Sequence, residues 1–188
     1  MGGLGKAPQA RDADTYEHFH IHVDVVVIGG GIAGLTAARA AGEAGRSVLL
    51  IEQSPHWGGR ASVDGATIAG VPAGTWVEEQ VAALQALDTV HLRLRTMGAG
   101  VYDHGYVLAA ERLTDHDPEA GGPRHRLWKI RAGQVVTATG AIERPLSFAG
   151  NDLPGVMLAS ALRDYVVNHA IAPGDRTVIV TNNDDAYR

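Results

Sequence analysis

Three observations predict an α/β fold built on a parallel sheet. An apolar strand, Val23 to Ile28, runs directly into a glycine-rich turn and a small-residue helix, Leu35 to Ala44. A second apolar strand, Ser47 to Ile51, follows that helix, and an amphipathic segment, Thr75 to Asp88, leads into a third strand, Val90 to Thr96. Alternating strands and helices, with strands apolar on both faces, are the pattern of a parallel sheet covered on both sides.

The turn after the first strand reads Gly29-Gly30-Gly31-Ile32-Ala33-Gly34, a G-x-G-x-x-G spacing in strand–turn–helix context. The three spaced glycines have different expected roles. Gly29 permits the tight turn, Gly31 lets a pyrophosphate approach the backbone, and Gly34 lets the helix pack close to the strand. The helix N-terminus offers unpaired N–H groups and the positive end of its dipole to the phosphates. Glu52 ends the second strand about 20 residues beyond the glycines, where a carboxylate accepts hydrogen bonds from an adenosine ribose. Its charge repels a 2′-phosphate, which favours NAD or FAD over NADP. The fold expected is therefore Rossmann-like, of the FAD/NAD(P)-binding kind, and Gly29, Gly31, Ala33, Gly34 and Glu52 are its candidate cofactor-binding residues.

After Glu52 come Gln53-Ser54-Pro55-His56-Trp57-Gly58-Gly59-Arg60. The paired glycines Gly58 and Gly59 are candidates for a close backbone pass by the phosphates, and Arg60 for neutralising their charge. In the Thr75 to Asp88 segment, Trp76, Val77, Val81, Leu84 and Leu87 recur at helical spacing and are expected in the core. Short strand-like runs at Tyr106 to Arg112 and His125 to Ile130, separated by the polar stretch Asp115 to Gly122, suggest a small antiparallel excursion. Gln134 to Thr137 then returns to the sheet and closes in Ala138-Thr139-Gly140, small residues suited to passing beside a cofactor.

Composition sets the outer limits. The chain has 188 residues, 45% of them hydrophobic, and 24 glycines, enough for one substantial core. A net charge of -5 argues against a nucleic-acid platform, and no apolar run is long enough to span a membrane, so cytoplasmic residence is expected, with neither nucleic acid nor membrane as partner. The chain has no cysteine, which excludes disulfides, thiolate metal sites and a redox-active Cys pair. His18, His20 and His22 alternate along an extended stretch and read as a polar edge strand, with no metal site expected; Asp103 and His104 read as turn residues.

The segments Ala138-Thr139-Gly140-Ala141-Ile142-Glu143-Arg144-Pro145-Leu146, Phe148 to Ala161, and Thr181-Asn182-Asn183-Asp184-Asp185-Ala186-Tyr187-Arg188 resemble the alpha subunit of heterotetrameric sarcosine oxidase. Upstream, Gly3 to Pro8 and Tyr16-Glu17-His18 are similar to that family's linker. The resemblance implies a linker over residues 1–21, an FAD/NAD-binding domain over 22–146, and the incomplete beginning of a second nucleotide-binding domain over 147–188, opened by a strand at Thr177 to Thr181.

It also implies a fragment of a much longer subunit and, as partners, the other subunits of the complex. Sarcosine would be demethylated at a flavin elsewhere in that complex, so no catalytic residue is expected in this chain. NAD is the cofactor the resemblance implies, with FAD the alternative in the same site. By motif it would meet Gly29 to Gly34, Glu52, Gln53, Ser54, Arg60 and the strand end near Met97, while Gly58, Gly59, Thr139 and Gly140 remain candidates on their small size and position. Arg60 stands where the family carries a small hydroxyl residue. Alternatives to the subunit reading are an independent FAD-dependent amine or pyridine-nucleotide oxidoreductase and a nucleotide-binding module without activity.

Overall fold

In the computed structural model, which describes residues 5, 7–117 and 119–187, the apolar run after His22 forms the second half of strand β1 (Tyr16–Ile28). Gly3, Leu4, Lys6 and Arg188, which belong to the resemblance above, lie outside the described residues. Helix α1 (Ile32–Glu43) leads to β2 (Val48–Ile51). The short antiparallel pair β3 (Thr67–Ile68) and β4 (Val71–Pro72) precedes α2 (Ala73–Gln85) and β5 (Val90–Arg93). A meander follows, made of β6 (Thr96–Tyr102), β7 (Tyr106–Arg112) and β8 (His125–Thr137), and the last regular helix is α3 (Ala159–His169).

The main sheet has six strands in the order β5-β2-β1-β8-β7-β6. The first four are parallel, and β7 and β6 are antiparallel to their neighbours. Strand alternation sends successive side chains to opposite faces, and both faces are covered. Val26, Ile28, Leu49 and Ile51 form one cluster with Val107, Ala109, Trp128 and Ile130 of the meander. Val27, Val48 and Leu50 form the other with Leu35 and Ala38 of α1 and Val77 and Leu84 of α2. Trp76 and Val81 flank this second cluster, so the helical spacing of the α2 segment does mark its core face. At the amino ends of the strands Asp24 accepts hydrogen bonds from the Ser47 amide and hydroxyl, at 2.8 and 2.9 Å. These bonds hold its carboxyl below the ordinary aspartate range and pin β1 to β2 at the end opposite the glycine turn.

Four expectations are corrected by the structure. First, residues 16–21 are not linker: β1 begins at Tyr16 and pairs with β8 from Tyr16↔His125 onward. The early half of β1 is polar and aromatic, with no apolar run to announce it. It is held by its ladder to β8 and by contacts such as Phe19 on Trp128, ring centroids 4.7 Å apart. The histidines His18, His20 and His22 are exposed there, below the point where β2 starts to pair at Val25, so this half of β1 has a strand on one side only.

Second, His125 to Ile130 and Gln134 to Thr137 are one continuous strand. Gly133, which reads as a break in the sequence, lies against β1, where a Cβ would come 3.0 Å from the Asp24 carbonyl oxygen. Third, the strand after α2 ends at Arg93, and a corner with Arg95 at φ 53° starts β6 at Thr96. Fourth, Thr177 to Thr181 forms no strand. Among the described residues no strand offers its backbone a ladder, and Val178 and Val180 are 88% and 71% exposed. Helix α3, which precedes it, is an addition to the elements expected from sequence, and none of its residues is buried. Asp103 and His104 do form a turn, the 3-10 segment Asp103–Gly105 between β6 and β7. No helix among the described residues is long and apolar enough to cross a membrane.

Candidate functional site

β1 lies between β2 and β8, so the chain leaving it at Gly29 emerges at the carboxyl ends of the parallel strands with neighbours on both sides. Crevices of this kind in open α/β sheets are where ligands bind. The Gly29 amide donates to the Ile51 carbonyl at 2.8 Å, and its φ of 109° is reached without strain only by glycine. A Cβ there would lie 2.3 Å from the Ala138 carbonyl oxygen, and at Gly34 one would lie 1.8 Å from the Gly29 carbonyl oxygen. At Gly31 a Cβ would meet nothing within 4 Å. Two of the three glycines are thus required by packing of the chain on itself, while the third leaves bare backbone facing open space. Helix α1 starts at this point with no side-chain cap, and Ala33 is exposed on its first turn, where N–H groups lack intrahelical acceptors.

Glu52 is buried, 7% exposed, at the end of β2. Its Oε2 accepts from the Gly30 amide at 2.7 Å and its Oε1 from the Ser54 amide at 2.7 Å. The carboxylate therefore ties the glycine turn to the segment after β2, and each oxygen keeps a lone pair for a further donor. Trp57, which carries no signal of its own in the sequence, packs against this joint: a Cβ on Gly30 would lie 2.5 Å from its ring and 2.9 Å from the Glu52 Cβ. Gly58 donates to the Gly30 carbonyl at 2.8 Å, and a Cβ on Gly59 would come 3.3 Å from the Gly31 Cα. The two glycine clusters, far apart in sequence, are neighbours along one backbone groove.

The remaining candidates fall around this groove unequally. Gln53 is exposed, and its carbonyl accepts from Arg112 Nη2 at 2.7 Å. Met97, 50% exposed, follows Thr96, whose amide donates to the Glu52 carbonyl at 2.7 Å. Thr139 and Gly140 are exposed just past the Ala138 amide, which donates to the Ile28 carbonyl at 2.8 Å. Arg60 is turned to its own segment: its Nη2 donates to Asp64 Oδ1 at 2.8 Å, an (i, i+4) ion pair.

A contact the sequence does not signal ties α3 to the rest. Glu143 Oε2 accepts from both the amide and the hydroxyl of Ser160, each at 2.9 Å. The Ser160 amide above all, then its hydroxyl and the nearby charges of Arg163 and Arg60, hold the Glu143 carboxyl below the ordinary glutamate range against the opposing effect of burial. A depressed carboxyl pKa contributes stability above its unfolded value, lost as pH falls through the folded one. Acidification below the ordinary glutamate range is therefore expected to release the start of α3 while the sheet persists. Hydrogen exchange read at the Ser160 amide against Val26 and Leu49 checks this. The same acid profile in Glu143→Gln as in the parent would count against the assignment.

Residues 24–123 match the family model described as FAD dependent oxidoreductase. The chain belongs to this family. Among curated proteins, sarcosine oxidase subunit alpha of Corynebacterium sp. (strain P-1) is 45% identical over 192 residues, covering all of this chain and 20% of that protein. The subunit of the same name from Rhizobium meliloti (strain 1021) is 43% identical over 187 residues, covering 98% of this chain and 19% of that protein. The chain thus spans about a fifth of the length of these relatives. Among solved structures, L-proline dehydrogenase from P. horikoshii superposes with a TM-score of 0.67 at 31% identity, over 84% of this chain and 30% of that one. The resemblance to sarcosine oxidase alpha subunits therefore extends over the whole sequence. The Rossmann-like sheet with its antiparallel meander is that of an FAD-dependent oxidoreductase domain.

Proposed function

We propose that this chain is the dinucleotide-binding portion of a sarcosine oxidase type alpha subunit, working in the cytoplasm with the other subunits of such an enzyme. The observation that carries the binding reading is the bare Gly31 backbone, open to solvent where α1 begins and beside the Glu52 carboxylate. The residues fit the adenosine diphosphate half that FAD and NAD share. Gly31, Ala33 and the first turn of α1 would hold the diphosphate, with Gly58 and Gly59 beside that backbone. Glu52, keeping its two backbone partners, would accept from the ribose hydroxyls. Gln53, Ser54, Met97, Thr139 and Gly140 would contribute further contacts. When bound, such a group supplies two-electron hydride chemistry; the chain's own residues bind and orient it.

The family match favours FAD, and the resemblance to sarcosine oxidase alpha subunits implies NAD. Calorimetric titration of the purified chain with FAD, NAD, NADP and adenosine is the test. Saturable binding of FAD or NAD, with NADP at least about tenfold weaker because of the Glu52 charge, is expected. Equal affinity for NADP and NAD would refute the placement of the ribose at Glu52, and absence of binding by any dinucleotide would refute the reading as a whole.

A further inference from the structure

Tyr16 to His22, the half of β1 away from the glycine turn, pairs with β8 on one side and with no other strand among the described residues. Alternate residues of a strand turn their N–H and C=O groups to opposite sides, so half of these groups point to the open edge. At about 3.3 Å per residue that edge is about 20 Å long. It ends at an open depression lined by His22, Asp24, Ser47 and Arg131, just before β2 begins. An edge of this kind is a template for a further strand.

The face beside the edge has one sign of charge. Alternation sends Phe19, Ile21 and Val23 to the core side, where Phe19 meets Trp128, and sends the exposed His18, His20 and His22 outward. Register then fixes their neighbours: His22 lies beside Arg131 and, one strand on, Tyr106; His20 beside Lys129 and Leu108; His18 beside Leu127 and Ala110. The Arg131 guanidinium lies 4.7 Å from the Tyr106 ring centroid, so this row shares a face. A fourth row, Tyr16, His125 and Arg112, has its Tyr16 and His125 rings 5.7 Å apart. No carboxylate occupies any of the four rows, although the chain carries a net charge of -5. The acids of these strands are on the core side, where Glu17 and Glu111 pair with Arg126. Those at the borders are engaged: Asp12 with Tyr16, Asp24 with Ser47, and Asp115 with Arg124 and His125.

We propose that the open edge of β1 docks an acidic, extended segment of another polypeptide, added as a strand beside Tyr16 to His22 with its carboxylates next to His18, His20 and His22. The open backbone groups supply the ladder, and the cations of the face select the sequence. Charge decides the occupant. A second copy of this chain, paired edge to edge, would set the basic face against its like, which is unfavourable between neighbouring strands. A nucleic acid has no strand to satisfy the open edge, and its run of phosphates would meet the chain's overall negative charge. The surface lies at the opposite end of β1 from Gly29, so the inference does not depend on what the glycine turn binds.

The probe is a short peptide of alternating glutamate and threonine, titrated to millimolar concentration into the nitrogen-15-labelled chain. It is expected to shift the backbone amide resonances of Tyr16 to His22, to slow hydrogen exchange at those amides that face the open edge, and to bind more weakly as salt is added. The same peptide N-methylated throughout keeps its charge but cannot form a ladder, and is expected to bind at least about tenfold more weakly. Lys129→Glu combined with Arg131→Glu is expected to weaken the glutamate peptide about tenfold and to admit one of alternating lysine and threonine, a gain that only a folded variant can show. Edge amides in the parent chain that ignore the glutamate peptide overturn the proposal. Equal binding of the methylated peptide overturns it too, because the edge would then play no part. Duplex DNA competing for the same amides would mark a surface for polyanions, and concentration-dependent shifts of these amides in the chain alone would make a second copy the occupant; either result refutes the acidic strand.

Discussion

Gly34→Ala is expected to lower the stability of the chain by about 3 kcal/mol, the upper range for overpacking at a site that cannot yield. The new methyl would lie 1.8 Å from the Gly29 carbonyl oxygen, which is backbone and fixed between β2 and β8. Gly31→Ala, three residues earlier, is expected to change stability by no more than about 0.5 kcal/mol, because its methyl meets nothing within 4 Å. Its effect should appear in binding instead, since that open space is where the proposed dinucleotide would bring its phosphates. Denaturant midpoints and FAD or NAD titrations of the two variants check the pair. Matching stability losses in both variants would contradict this division of roles within the turn.

Glu52→Ala is expected to cost about 2–3 kcal/mol of stability in the absence of any ligand, as well as dinucleotide affinity. The sequence alone suggests only a ribose ligand, whose removal weakens binding. In the structure the same carboxylate holds the amides of Gly30 and Ser54, and the first of these bonds is buried. Removing it leaves donors unmet inside the protein. Glu52→Gln keeps one acceptor oxygen and is expected to lose less stability while still losing affinity, because an amide cannot accept from both backbone donors and a ribose at once. Thermal unfolding without ligand, followed by titration, separates the two effects. An unchanged midpoint in Glu52→Ala would mean that the two backbone bonds contribute nothing.

Much of the first nucleotide-binding unit was legible because its signals are local. The apolar runs of β1 and β2, the spacing of Gly29, Gly31 and Gly34, and the helical period of Val77, Val81 and Leu84 each follow from the geometry of a single element. The antiparallel excursion was legible as well, but not its continuity. Arg131, Ala132 and Gly133 carry no strand signal, and they are extended because β1 runs alongside them, with β7 reaching only as far as Arg131. The early half of β1 escaped for the same reason. Thr177 to Thr181 shows the converse: the β-branched run Val178 to Val180 has strand propensity, but propensity without a ladder partner makes no strand.

The site divides along the same line. The spacing of Gly29, Gly31 and Gly34, the acid at the end of β2 and the resemblance to sarcosine oxidase alpha subunits could all be read from the order of residues. Which groups meet could not. Glu52 with Gly30, Gly59 with Gly31, Trp57 on the glycine turn, and Asp64 with both Arg60 and Arg163 are decided only when the sheet assembles. Hydrogen bonds and close approaches of this kind act over about 3 Å in space and are indifferent to separation in sequence. The sequence by itself determined the second half of β1, α1, β2, α2 and the glycine turn. The tertiary structure decided that Glu52 also supports the fold, that Arg60 answers to Asp64, and that Glu143 takes the amide and hydroxyl of Ser160 at the start of α3.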